Sequence, residues 1–169
     1  RVLFRSMAIE IEGIAAGAGQ PVEAIAALNA RTEILFGQMP RGGCTAAAIL
    51  PPSTNGDVVL GQNWDWRRAC GASAIVLRAY PDSGPAFVTI VEAGMLARAG
   101  FIETGLGVCG TFVSTPKDGA GQGLPITAIR RALLTSRSLA EAIGHALRLP
   151  RVFSSSHLLA VAAGEAINL

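Results

Sequence analysis

The strongest constraint on the fold of this chain is a series of short apolar segments between positions 44 and 113, most of them separated by turn residues. Segments of seven or eight residues separated by Gly, Pro, Asp and Ser are typical of strands in an antiparallel meander. Asn55-Gly56, between the first two segments, is a strong hairpin signal. The predicted strands are Cys44–Leu50, Val58–Trp64, Ser73–Ala79, Ala86–Ala93 and Gly107–Val113.

Helical patterns lie on both sides of these strands. Apolar spacing predicts helices over Met7–Ala18, Val22–Phe36, Pro125–Thr135 and Ser138–Leu147, followed by strands over His157–Ala162 and Glu165–Leu169. In the second helix Leu28, Ile34, Leu35 and Phe36 should face the core, and Ser138 with Glu141 forms a capping box. This order predicts an α+β domain with helices packed on an antiparallel sheet.

Composition excludes several classes of function. Half of the 169 residues are apolar and the net charge is only +2, so there is no basic stripe for nucleic acid or an anionic membrane. There is no run of about 18 apolar residues, so no membrane-spanning helix is expected. The pairs Arg67-Arg68 and Arg130-Arg131 are predicted to be solvated surface residues.

The cysteine and histidine counts limit the chemistry. Three widely spaced cysteines, with no Cys-x-x-Cys pair, favour neither a disulfide framework nor a zinc site. Two histidines exclude a histidine-rich metal centre. We therefore expect no metal and no bound cofactor.

One cysteine, Cys44, follows a glycine pair where a loop meets a predicted buried strand. Its thiol could attack the carbonyl of Gly43, and hydrolysis would free an α-amine on Cys44 that serves as the base for its own thiol. This arrangement needs no histidine. The alternative is a turn glycine pair before an ordinary core cysteine.

A second segment, Gly61–Trp66, ends the strand predicted to pair with the Cys44 strand. The hairpin would return Asp65 towards Cys44, where a carboxylate could hold the α-amine. Trp64 and Trp66 could shape an apolar acyl pocket, and the neighbouring Asn63 is a further pocket or oxyanion candidate. The alternative is a polar hairpin end with aromatic packing.

Taken together, the residues LNARTE (28–33), GCT (43–45) and GQNWDW (61–66) resemble the isopenicillin N acyltransferase-like family of self-processing cysteine enzymes. The resemblance implies an αββα N-terminal-nucleophile hydrolase sandwich with two stacked antiparallel sheets. It also implies that Cys44 is the nucleophile and new N-terminus, that Asp65 is its catalytic partner, and that the piece ending at Gly43 stays bound after cleavage.

The resemblance is incomplete at the oxyanion site. Where relatives often carry asparagines, this chain offers Thr111 after one strand and either Ser156 or His157 near another. His157 could equally be a surface residue at a strand start. Arg31 and Glu33 could help to form the pocket or simply stabilise a helix. A later arginine of the family would fall beyond Leu169.

The ends of the sequence suggest a fragment truncated at both ends. Residues 1–6 read as a non-native leader and residues 7–169 as a partial N-terminal-nucleophile domain. Residues 7–43 would form the small subunit and residues 44–169 the start of the large one. No targeting segment is visible, which favours the cytoplasm without establishing it.

These observations predict acyl transfer through a Cys44 thioester. The donor would be an amide or a coenzyme A thioester, with coenzyme A serving as a substrate carrier, and the acceptor would be water or a small amine. The partners expected are a small-molecule acyl substrate and the chain's own N-terminal piece. Alternatives are a choloylglycine- or penicillin-amidase-like hydrolase, a catalytically silent scaffold of this fold and a mere folding fragment.

Overall fold

The computed structural model describes residues 2–35, 43–119 and 121–169. The chain forms five helices and eight strands within these ranges. The helices are α1 (Val2–Ala18), α2 (Val22–Asn29), α3 (Arg31–Ile34), α4 (Ile126–Leu133) and α5 (Leu139–Arg148), with a 3-10 helix at Arg68–Ser73. The strands are β1 (Thr45–Ile49), β2 (Val59–Asn63), β3 (Ala74–Ala79), β4 (Phe87–Glu92), β5 (Gly100–Ile102), β6 (Leu106–Phe112), β7 (Ser155–Val161) and β8 (Glu165–Asn168).

The strands form two antiparallel sheets of different size. Strands β3 to β8 lie side by side in chain order as a six-stranded sheet, whereas β1 and β2 form a separate hairpin. At the hairpin turn Asn55 and Gly56 have φ values of 55° and 103°, a backbone that these two residue types adopt readily. The hairpin contacts β6 and β7, so it forms a second layer on one face of the larger sheet.

Helices α4 and α5 cover the other face of the larger sheet. Leu133, Leu134 and Ala142 from the helical region pack against Val108 and Leu159 from the sheet, and all five are completely buried. The prediction of an α+β domain with helices on an antiparallel sheet is confirmed. The αββα N-terminal-nucleophile sandwich remains a prediction.

Two glycines allow the hairpin and a helix to approach strand β6 closely. A Cβ atom on Gly107 would lie 2.5 Å from the Cδ2 atom of Leu60 in the hairpin. A Cβ atom on Gly110 would lie 2.5 Å from the Nε atom of Arg130, which reaches the sheet from α4. Because both distances are shorter than real Cβ contacts, a larger residue at either position would force the Leu60 or the Arg130 side chain to move away from strand β6.

Several predictions about local structure are corrected. The helix predicted over Val22–Phe36 is broken at Ala30, and Ile34 is 61% exposed rather than in the core, while Phe36 lies outside the described residues. Strand β5 was not predicted, because three residues are too few for a periodicity signal. The first helix begins at Val2, five residues before its predicted start at Met7.

One of the two hydrogen bonds of the predicted capping box at α5 is present, and the other is made to a neighbouring residue. The Ser138 hydroxyl accepts a hydrogen bond from the Glu141 N–H at 3.2 Å, as predicted. The Glu141 carboxylate, however, accepts from the N–H of Arg137 at 2.8 Å rather than from Ser138. Both bonds stabilise the start of the helix that covers the sheet.

Candidate active site

Cys44 lies immediately before strand β1, half-buried, beside the exposed Gly43. It lines a cleft of about 540 Å³ between the hairpin and the strands β6 to β8. Thr111 on β6 and Ser156 on β7 line the same cleft, and the two residues are direct neighbours in the register of these strands. The Ser156 hydroxyl donates to Oδ1 of Asn168 at 2.6 Å. The cleft therefore places a thiol and two hydroxyl groups together.

Successive side chains of the hairpin strands point to opposite faces of the hairpin. Leu60, Gln62 and Trp64 are half-buried towards the larger sheet, whereas Asn63 and Asp65 are exposed. Neither Asn63 nor Asp65 lines a described cavity, and no hydrogen bond or ion pair of either side chain occurs among the described residues. A role for Asp65 at the α-amine of Cys44 remains a prediction.

A second cavity, of about 430 Å³, lies on the β2 side of the hairpin. Most of its lining is apolar, with contributions from β2, β3, β4, β5 and β6: Leu60, Val76, Val88, Ile90, Phe101 and Val108. The lining also includes Arg98, Arg130 and Trp64, the last of which was predicted as a pocket residue. Such a mostly apolar cavity with a few polar groups is the usual form of a small-molecule site.

Two guanidinium groups sit at this cavity and within electrostatic range of the Cys44 thiol. The pKa of Arg98 is lowered to about 10, chiefly by burial and also by the neighbouring Arg31, against the opposing effect of Glu92, Cys44 and Cys70. Burial likewise lowers the pKa of Arg130 to about 10, with a contribution from Arg98. Two largely buried cations, accompanied by the Glu92 carboxylate, therefore lie near Cys44.

The prediction that Arg130 and Arg131 lie on the surface is wrong. Arg131 is only 7% exposed; its Nε atom donates to Glu10 at 3.0 Å, and its guanidinium lies 4.8 Å from the centroid of the Phe87 ring. Arg130 donates to the carbonyl of Thr111 at 2.9 Å. Helix α4 lies between α1 and the sheet, which is why adjacent arginines can both be covered.

A buried ionic network connects the N-terminal segment to this region. Arg31 forms an ion pair with Glu92, which is 3% exposed, and Arg98 lies 3.5 Å from the same carboxylate oxygen. Arg31 also stacks 4.7 Å above Trp66, and Arg98 stacks 4.6 Å above Trp64. Each of the two tryptophans that were predicted to shape the pocket therefore stacks against an arginine.

Three residues of the LNARTE segment, at alternate positions, bond to the rest of the chain. Besides the Arg31 ion pair, Asn29 donates to the carbonyl of Gly94 at 3.1 Å and accepts from the N–H of Leu96 at 2.7 Å. Glu33 accepts from the N–H of Ile126 at 2.7 Å, at the start of α4, while burial raises the pKa of this carboxyl. Arg31 and Glu33 therefore both fix the N-terminal segment on the body of the domain.

His157 lies on the opposite face of β7 from Cys44. Its side chain is completely buried towards the helices, and Nε2 lies 2.9 Å from the Ser155 hydroxyl. Its pKa is lowered to about 3, chiefly by burial and also by the cations Arg130 and Arg151. Of the two candidates on this strand, Ser156 is the one that lines the cleft with Cys44.

The buried histidine predicts an acid-sensitive fold. An unfolded histidine has a pKa of about 6.5, so below that pH the unfolded state binds a proton that folded His157 does not. We expect the free energy of unfolding to fall by up to about 1.4 kcal/mol per pH unit between about pH 6.5 and about pH 3. Urea unfolding across this range should show a shallower pH dependence for His157→Gln than for the unaltered protein. An equal slope in His157→Gln would contradict this prediction.

Sequence reasoning missed Gln62, Glu92, Arg98 and Arg130 as residues of the site. Glu92 and Arg98 carried one available signal, since each interrupts a largely apolar stretch within Phe87–Ala99. Gln62 and Arg130 carried no such signal, because their importance depends on contacts with β6 made over long sequence separations.

Residues 2–35, 43–119 and 121–169 contain neither a candidate membrane span nor a candidate metal cluster. No helix in these ranges is long and apolar enough to cross a membrane. No group of three or more His, Cys, Asp or Glu residues in them could hold a metal ion.

Comparison with known proteins identifies a family and a curated relative. The sequence profile of the acyl-coenzyme A:6-aminopenicillanic acid acyl-transferase family matches residues 53–169. The acyl-coenzyme A:6-aminopenicillanic-acid-acyltransferase 40 kDa form of Emericella nidulans is 33% identical over 162 residues. This alignment covers 95% of the present chain and 44% of the relative, so the chain spans less than half of that protein's length.

Proposed function

This chain belongs to the acyl-coenzyme A:6-aminopenicillanic acid acyltransferase family, and on that premise we propose that it transfers acyl groups through a thioester on Cys44. The observation that carries the proposal is the position of Cys44. Its thiol lines a cleft with Thr111 and Ser156 and lies within electrostatic range of two arginines that line an apolar cavity. The proposed nucleophile shares one cleft with two hydroxyl groups, and an apolar cavity that could take an acyl chain lies on the other side of the hairpin strand β2.

The first proposed step is cleavage of the chain before Cys44. The thiol attacks the carbonyl carbon of Gly43 and the peptide C–N bond breaks, which gives a thioester and a free α-amine on Cys44. Water then hydrolyses the thioester, so that Gly43 keeps the carboxylate and Cys44 regains its thiol. The exposed position of Gly43 gives water access to this bond.

The second proposed step is acyl transfer by the freed cysteine. The α-amine takes the thiol proton, the sulfur attacks the donor carbonyl, and the protonated amine returns the proton to the departing amine or coenzyme A thiol. Water or a small amine then takes the acyl group from Cys44. The Thr111 hydroxyl is the first proposed donor to the oxyanion, and the Ser156 hydroxyl is the second once its proton has left Oδ1 of Asn168. Asp65 is the proposed partner of the α-amine once cleavage has released residue 44.

The N-terminal piece is proposed to remain bound after cleavage. Asn29, Arg31 and Glu33 bond to Leu96, Glu92 and Ile126, and none of these contacts depends on the Gly43–Cys44 bond. These bonds hold the ionic network around the two tryptophans. An N-terminal-nucleophile sandwich would retain its first subunit in this way.

The direct test of the proposal is trapping of the acyl group. The purified protein is incubated with acetyl- or octanoyl-coenzyme A, or with the corresponding anilides, and its mass is measured intact and after proteolysis. We expect one added acyl group on the peptide that begins at Cys44, removable by hydroxylamine as a thioester. Reaction with anilides alone would favour an amidase of the choloylglycine or penicillin type, and no acylation by any donor would contradict acyl transfer.

The apolar cavity predicts a dependence on acyl length. Val88 lines this cavity opposite Phe101, so Val88→Phe should fill part of it. We expect reaction with octanoyl-coenzyme A to fall about tenfold to a hundredfold relative to acetyl-coenzyme A, because one poorly accommodated group in an apolar pocket has an effect of this size. Acylation rates for both donors measure the ratio. The control is Val59→Phe, on the outer face of the hairpin and 50% exposed, and an equal ratio in both variants would place the acyl chain elsewhere.

A further inference from the structure

Strand β6 has an edge that its neighbour β5 does not cover. The pairing of β5 with β6 comprises Gly100 opposite Val108 and Phe101 opposite Gly107. If β5 continued, Arg98 would face Gly110, but the chain turns away and the Arg98 side chain lines the apolar cavity. The backbone N–H and C=O of the buried Gly110 are therefore left without a strand partner on this side.

The Gln62 side chain takes the place of the missing strand. Its Oε1 atom accepts from the N–H of Gly110 at 2.8 Å, and its Nε2 atom donates to the carbonyl oxygen of Gly110 at 2.9 Å. An amide group that satisfies both backbone groups of one residue reproduces the pairing of a neighbouring strand. Among the described residues these are the two side-chain hydrogen bonds between the hairpin and the larger sheet.

This pair of bonds bears directly on the position of Cys44. Gln62 lies opposite Ala46, two residues after Cys44, and Gly110 directly precedes Thr111. A two-stranded hairpin is marginally stable alone, so its place on the sheet depends on what attaches it. The bonds from Gln62 therefore join the strand pair that carries the thiol to the strand that carries a proposed oxyanion donor.

We propose that Gln62 is a positioning residue that holds Cys44 at its working distance from Thr111 by pairing with Gly110. The proposal rests on the acyl-transfer function proposed above. It assigns to Gln62 a role that requires an uncharged group, because the group must accept from one backbone atom and donate to another. A carboxylate could only accept, and its second oxygen would face the carbonyl oxygen of Gly110.

Two variants test the proposal in the full protein. Gln62→Met keeps the side-chain size without hydrogen bonds, and we expect acylation of Cys44 by octanoyl-coenzyme A to slow about tenfold to a hundredfold at every pH. Gln62→Glu should be similarly slow at about pH 8, but its rate relative to the unaltered protein should rise as the pH falls towards about 5. The reason is that a protonated carboxyl can again donate to Gly110. Gln20→Glu, at an exposed position after α1, controls for the change of charge.

Hydrogen exchange at the Gly110 amide measures the pairing itself, whether or not the protein turns over. Its protection should be lost in Gln62→Met and should return at low pH in Gln62→Glu, while thermal unfolding shows that both variants fold. Unchanged protection in Gln62→Met, or acylation as fast as in the unaltered protein, would overturn the proposal. If the unaltered protein is not acylated, the acyl-transfer function fails, and Gly110 exchange still decides whether Gln62 holds the hairpin.

Discussion

Replacement of Cys44 by alanine should leave the chain uncut between Gly43 and Cys44 and should abolish acylation altogether. Alanine has no nucleophile, so neither the attack on the Gly43 carbonyl nor formation of the acyl thioester can begin. The rate of each step should fall by several orders of magnitude, to the limit of detection. Intact mass spectrometry measures both, since cleavage divides the chain into two masses and acylation adds to the second.

The other cysteines and a conservative substitution separate the proposed chemistry from packing. Cys70, in the 3-10 helix, is half-buried and lines neither cavity, so Cys70→Ala should cleave and acylate like the unaltered protein. Cys44→Ser keeps the size and a weaker nucleophile, and we expect slow cleavage with little acyl transfer. Cleavage at the same bond in Cys44→Ala would show that an external protease makes the cut, and the self-processing proposal would then be wrong.

Much of the fold could be predicted because its signals are local. Strands with turn residues at both ends, the Asn55-Gly56 turn and the capping box at Ser138 each depend on a few adjacent residues. Strand β5 and the break at Ala30 could not be predicted, because short elements are set by tertiary contacts. The two-layer arrangement of hairpin and sheet includes close contacts such as that of Leu60 with Gly107, which are invisible in the sequence.

The candidate site could be predicted only in part, for a related reason. Cys44 and the tryptophans stand in recognisable motifs, whereas Arg130 reaches the site from a helix more than 80 residues later and reads in sequence as half of a surface pair. The choice between Ser156 and His157 required the alternation of β7, since adjacent strand residues face opposite sides of the sheet. Sequence motifs therefore point to the proposed nucleophile, and packing identifies the charges around it.

Replacement of Glu92 by glutamine should destabilise the domain by about 3–5 kcal/mol, because it removes the charge that two buried guanidinium groups share. Glutamine keeps the size of the side chain, so the effect should come from charge rather than from a cavity. Arg31 and Arg98 would then lie close together without the negative charge that now separates them. Each guanidinium group also lies over a tryptophan ring, which limits its movement. Urea unfolding at neutral pH measures the loss.

A matched control and a second substitution identify the cause of this loss. Glu165→Gln, at an exposed position on β8, should change the free energy of unfolding by less than about 0.5 kcal/mol. Adding Arg31→Met to Glu92→Gln should restore part of the loss, because one of the two unpaired cations is then gone. A loss of unfolding free energy below about 1 kcal/mol in Glu92→Gln would contradict charge compensation. So would a larger loss in the double variant than in Glu92→Gln alone or in Arg31→Met alone. The network would then stabilise the domain by packing the N-terminal segment against Trp64 and Trp66.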